Sequence, residues 1–177
     1  MPSARGTLTW LAAVGRRDLL APPVAAAIDA VPHAEVTAID PALADTAAFC
    51  EAYDVAPQAS ANCVIVAGRR GDRTTYAAVM VLAIHRADVN GVVRRHLDVR
   101  KISFAPFETA VHLTGMEFGG ITPVGLPTPW PILVDAAVVA AGPVVIGSGI
   151  RASKLLVDGR TLLSLPHATE LDLSVSS

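Results

Sequence analysis

The run TGMEFGGITPVGLPTPWPILVD, Thr114 to Asp135, concentrates backbone chemistry in one place. Gly119 and Gly120 carry no Cβ, so the chain there can take positive φ and approach a ligand closely. Pro123 fixes its own φ and stiffens the exit from the loop. The apolar stretch PILVD follows and ends on Asp135, and a second small-residue turn, Gly147-Ser148-Gly149, leads on to Arg151 and Lys154. Side-chain catalysis has little support. His33, His85, His96, His112 and His167 are scattered, with neither HExxH nor a paired metal spacing, so no metal site is expected. Gly147-Ser148-Gly149 is not a G-x-S-x-G nucleophile elbow, since Ile146 stands where the first glycine would be, and there is no P-loop and no GxGxxG. Cys50 and Cys63 form no CxxC pair and read as free thiols in a reducing compartment. If the chain is an enzyme, its chemistry rests on positioned backbone.

The elements that would hold this loop can be read in order. AEVTAI (Ala34 to Ile39) alternates as a strand, and DTAAFCEAYDV reads as a helix with Asp45 as N-cap. NCVIVAGRRGDRTTYAAVMVLAI reads as a hairpin whose two strands are nearly continuous in apolar residues, as strands buried on both faces are. ADVNGVVRRHL is a helix capped by Asp88; KISF is a short strand; APFETAVHLTG is a helix with Pro106 in its first turn and Gly115 as its stop. After the glycine loop come the strand PILVD, two strands in GPVVIGSG and SKLLVDG, a short helix in GRTLLSLP and a last strand in TELDL. Hairpins mixed with helices predict an α+β single domain with a mixed, largely antiparallel sheet and flanking helices.

Composition bounds the rest. Of 177 residues, 52% are hydrophobic and 17% charged, which is ample for a core and excludes a disordered chain. No apolar run reaches the ~18 residues of a membrane span. The N-terminal TLTWLAAVG with RRDLLAPPVAAAIDA has some of the look of a twin-arginine export signal. Asp18, Asp29 and Pro22-Pro23 interrupt it, so residues 1–31 are expected as a helical N-terminal extension of a cytoplasmic protein. Charge is uneven. Seven acids and no Lys or Arg lie between Asp18 and Asp54, whereas eight of the fourteen basic residues fall between Arg69 and Lys101. The second segment is able to hold phosphate, or is an ordinary solvated face.

The ordered set Gly119 to Pro123 (G-x-x-x-P), strand ending in Asp135, and Gly147-Ser148-Gly149 turn resembles the YbaK and prolyl-tRNA synthetase associated editing-domain family. The resemblance runs from about Pro32 to Leu173, within an editing domain over 32–177. It implies a YbaK-like fold and hydrolysis of the ester that joins a wrong, small amino acid to the 3′-terminal adenosine of a tRNA, commonly tRNA for proline, with no cofactor. A chain of 177 residues has no room for a synthetase catalytic domain, so such editing would be in trans. The implied partners are the acceptor end of an aminoacyl-tRNA and an aminoacyl-tRNA synthetase, and no membrane.

The resemblance also assigns roles. Gly119 and Gly120 would present amides to the developing oxyanion, with Pro123 stiffening the exit of the catalytic loop. Water, or the thiol of a cysteine substrate, would attack. Asp135 would accept from a substrate amino or hydroxyl group, or cap the turn that follows it. Ile121, Thr122, Gly147, Ser148, Gly149 and Arg151 would wall the substrate site. Arg86, Arg94 and Lys154 would meet tRNA phosphates. Asn62 stands where the family commonly carries lysine. Asparagine supplies no charge but can donate and accept hydrogen bonds. The alternatives are a non-catalytic module that binds tRNA ends or a synthetase, and a small-molecule esterase using the same pocket.

Overall fold

The computed structural model describes residues 1–176. The strands are β1 (Leu11–Ala12), β2 (Glu35–Ala38), β3 (Ala61–Arg70), β4 (Arg73–Leu82), β5 (His85–Ala87), β6 (Lys101–Phe104), β7 (Ile132–Asp135), β8 (Pro143–Gly147), β9 (Ser153–Asp158), β10 (Ala168–Leu171) and β11 (Ser174–Ser176). The α-helical segments are α1 (Pro22–Ala27), α2 (Thr46–Tyr53), α3 (Arg94–His96), α4 (Phe107–Thr114) and α5 (Ala136–Val139), with single 3₁₀ and π turns between. One sheet has the order β1-β2-β9-β8 and is antiparallel throughout. The other has the order β10-β7-β4-β3-β6, with β7 parallel to both β10 and β4. A β11-β5 ribbon closes the C-terminal end. An isolated bridge between Ser60 and Val145 joins the two larger sheets.

The continuous apolar runs of β3 and β4 have the cause their sequence implied. Ile65, Ala78 and Met80 enter the main core, while Val66, Ala77 and Val79 on the opposite pleat face enter a second core with Val89, Val93 and Leu97. Asp88 caps the turn that carries those valines, accepting from the amides of Gly91 and Val92 at 3.0 and 3.2 Å. Helix α4 stops at Gly115, whose φ of 69° closes the last turn as its N–H donates to the Val111 carbonyl. Residues 1–31, expected as a helical extension, contribute β1 and several short helical turns. Ala13, Leu20, Val24, Ile28 and Val31 are buried in the main core, so this segment completes the core. No helix among the described residues is long and apolar enough to cross a membrane.

Candidate functional site

A cavity of about 390 Å³ opens between the two sheets. Cys63 and Ile65 of β3, Ile146 and Gly147 of β8, and Lys154 of β9 wall its interior, with Asn62 at the side and Asp45 and Thr46 across from them. Gly119 and Ile121 bring the glycine loop to the same space.

The loop is held there by a joint between two glycine-bearing turns. The Gly149 amide donates to the Gly120 carbonyl at 2.7 Å, and the Glu117 amide donates to the Gly149 carbonyl at 2.8 Å. A Cβ on Gly147 would lie 2.6 Å from the Gly120 carbonyl oxygen and 2.7 Å from that of Ile121. Only glycine permits that approach. Gly119 itself has φ of +83°, where a side chain is strained. Arg151 locks the outer side. Its Nε donates to the Pro41 carbonyl and its Nη1 to the Phe118 carbonyl, each at 3.2 Å, and Nη1 lies 3.5 Å from Asp45. The Gly120 amide is used within the loop, donating to the Glu117 carbonyl at 2.9 Å, whereas the Gly119 and Ile121 amides take no backbone partner among the described residues.

Of the residues expected at the site, Asn62, Gly119, Ile121, Gly147 and Lys154 share this cavity. The others lie elsewhere. Gly120 is buried against the backbone of Ile150, and Gly149 against Ala21. The Ser148 hydroxyl is buried inside its own turn, bonded to Ser153. Thr122 is fully buried, and Pro123 lines a separate hollow with Trp130 and Leu165. Arg86 on β5 and Arg94 on α3 are exposed and away from the cavity wall. Asp135 is 1% exposed, and its Oδ1 accepts from the amides of Leu173 and Ser174 at 3.1 and 3.2 Å. That carboxylate therefore pins the C-terminal segment to the end of β7. Asp135→Ala is expected to lower unfolding stability by about 3 kcal/mol, since two amides lose a charged acceptor. The folded variant should keep its kcat/KM; urea denaturation beside steady-state rates checks both.

Lys154 was expected to face tRNA phosphate, but it is 7% exposed and belongs to the cavity wall. Its Nζ donates to the Ala44 carbonyl at 2.8 Å and sits 5.3 Å from the centre of the Phe49 ring. Burial lowers its pKa, and the like charge of Arg151 lowers it further; Asp45 and Cys50 act in the opposite sense. Between that lowered value and the ordinary 10.5, the unfolded chain binds more protons, so stability rises with pH. Urea midpoints of wild type and Lys154→Met should accordingly draw together as pH rises toward 10.5. A gap independent of pH would contradict this reading.

Asn62 is oriented by its neighbour. The Thr46 hydroxyl donates to Asn62 Oδ1 at 2.7 Å, which leaves the amide NH₂ as a donor. Burial pushes the Cys63 thiol up to about 12, so at neutral pH it is neither thiolate nor base. The cavity lining thus includes one lysine, an amide side chain with a donor to spare and two residues whose backbone amides take no backbone partner among the described residues, with no activated side-chain nucleophile. The sequence reading missed the part of Cys63 and of Phe104, Phe107 and Phe118, which stand at the cavity mouth.

Among curated proteins, no sequence matches this chain significantly. Among solved structures, a candidate trans-editing enzyme for prolyl-tRNA synthetase matches with a TM-score of 0.74 at 22% identity, covering 94% of this chain and 99% of that one. A scaffold protein used in computational grafting of epitope backbones matches with a TM-score of 0.74 at 21% identity, covering 88% and 97%. These likenesses establish the fold. The sequence model of the aminoacyl-tRNA editing domain matches residues 40–165, a span that holds every cavity residue named above. The chain belongs to the aminoacyl-tRNA editing-domain family.

Proposed function

We propose that the protein is a free-standing editing hydrolase that removes a small, mismatched amino acid from the 3′-terminal adenosine of a tRNA, with tRNA for proline as the first substrate to test. The observation that carries this reading is the cavity itself. It is lined by Gly119 and Ile121, whose amides take no backbone partner among the described residues, and by Asn62, Lys154 and small and apolar residues.

In this mechanism the ester carbonyl oxygen lies against the backbone amides of the glycine loop, which stabilise the oxyanion as water adds to the carbonyl carbon. The bond from that carbon to the ribose oxygen then breaks. One proton of the attacking water passes to the ribose oxygen, which leaves as a free hydroxyl, and the other goes to solvent as the amino acid departs as its carboxylate. Lys154 supplies positive charge near the developing oxyanion, and Asn62 donates to the aminoacyl group. A cavity that admits small side chains suits a second site, because one methylene separates amino acids by only ~1–3 kcal/mol in a binding pocket.

The test is ester loss from tRNAs for proline, alanine and cysteine, each charged with matched and mismatched amino acids. Rapid clearing of one small mismatched species supports editing and names the substrate. Salt-sensitive tRNA binding with no ester loss would favour a binding module instead. Asn62→Lys gives a sharper check. With Lys154 already supplying charge, the added lysine is expected to bring no gain in kcat/KM; a tenfold gain would show that Lys154 does not fill that role.

A further inference from the structure

The chain has four phenylalanines. Phe49 is fully buried, but Phe104, Phe107 and Phe118 are 63%, 58% and 57% exposed, and all three rim the mouth of the one cavity described above. They come from the end of β6, the start of α4 and the glycine loop. Phe107 and Phe118 are 5.3 Å apart between ring centroids and tilted by 58°. A core built mostly of alanine and valine had room in its composition for aromatic anchors, yet three rings stand in water around one opening. Contiguous exposed aromatics of this kind mark a binding surface.

The sheet face that enters the cavity also leaves it toward charge. Cys63 and Ile65 line the cavity, and Ala67 and Arg69 continue the same pleat face of β3. Arg69 is the cross-strand partner of Lys101, and Ala67 that of Ser103. Like charges directly opposite destabilise a strand pair. Among the described residues neither Arg69 nor Lys101 has a salt-bridge partner, the nearby Asp98 being paired with Arg70 at 3.5 Å. From Ile65 to Arg69 is ~13 Å at ~3.3 Å per residue. Aromatic rings at a cavity mouth and cations further along the strand that lines it are the kinds of element by which single-stranded nucleic acid is held.

We propose that Phe104, Phe107 and Phe118 form a base-stacking rim for the unpaired 3′ end of an RNA, with Arg69 and Lys101 holding phosphate further along the same sheet face. This rests on the editing reading for its orientation: an ester seated in the cavity leaves the terminal nucleoside at the rim by covalent connection. A purely apolar partner would have no use for cations without salt-bridge partners ~13 Å along the strand from the cavity.

The test needs no ester. Fluorescence anisotropy follows an uncharged RNA minihelix ending in CCA, and the same minihelix lacking those three nucleotides. Wild type should bind the CCA-ended form more tightly. Phe104→Leu and Phe118→Leu should each weaken that preference by about 5- to 150-fold, and tryptophan in the same places should restore it. Replacing Arg69 and Lys101 with glutamine should reduce the slope of log K against log salt by about 1.4. Leucine variants that bind the CCA end as wild type does would overturn the rim. So would sedimentation showing a wild-type dimer that the leucine variants disperse, since the rings would then be a contact between copies. The two readings fail separately. Loss of ester hydrolysis with ring-dependent CCA binding intact sinks the deacylase and keeps the rim; hydrolysis with ring-independent binding does the reverse.

Discussion

Lys154→Met is expected to lower kcat/KM on the edited aminoacyl-tRNA by about 100-fold or more while leaving the protein as stable as wild type or more so. The two effects have one origin. An ammonium held at 7% exposure has given up its hydration, and its one hydrogen bond, to the Ala44 carbonyl, with the face of Phe49, replaces only part of it. Methionine fills similar volume without that penalty, and replacing buried charge by apolar groups of like size is often neutral or stabilising. The catalytic loss follows from removing a preorganised positive group from the place where negative charge develops, worth about 10²–10³ in rate for a single donor. A purely structural lysine would give the opposite pattern, with lower stability and unchanged turnover. Steady-state kinetics beside urea denaturation on the same preparation separates the two.

The second large effect is expected from Gly147→Val. No rotamer choice relieves it, because the clash is between Cβ and the carbonyl oxygens of Gly120 and Ile121, 2.6 and 2.7 Å away. The glycine loop must move outward by the better part of an ångström, taking the Gly119 and Ile121 amides with it. Misplacement on that scale costs about 100-fold in rate when catalysis depends on positioned donors. Stability should fall by about 1–3 kcal/mol, the range for overpacking. Gly15→Val serves as the control, since nothing lies within 4 Å of a Cβ there and its φ, like that of Gly147, is not in the left-handed region. If Gly147→Val folds and hydrolyses at the wild-type rate, the loop is not the site.

How far the sequence was readable depended on whether the deciding contact was local. The β3–β4 hairpin, the Asp88 cap and the Gly115 stop are set by neighbouring residues and stood where expected. Which glycine faces the cavity was not legible, because Gly119 and Gly120 are equivalent in sequence and differ only by the later packing of Ile150. Asp135 shows the same limit. A carboxylate at a strand end facing substrate and one pinning Leu173, 38 residues on, have the same local sequence. Lys154 in SKLLVD reads as a solvent-facing strand position, yet β9 lies between β2 and β8 and is covered on both sides. A lone cation in so apolar a strand was the available signal. The phenylalanine rim has no sequence signal, since three separate elements assemble it.

In the proposed mechanism the ester sits in this cavity with its carbonyl on the glycine loop. The most direct measurement is a crystal structure of the protein with 3′-alanylamino-3′-deoxyadenosine, in which an amide replaces the labile ester. The alanyl group is expected between Asn62 and Lys154, with its carbonyl oxygen ~2.7–3.1 Å from the Gly119 or Ile121 amide nitrogen. Analogue bound outside the cavity, or inside it with the carbonyl turned away from that loop, would contradict the account.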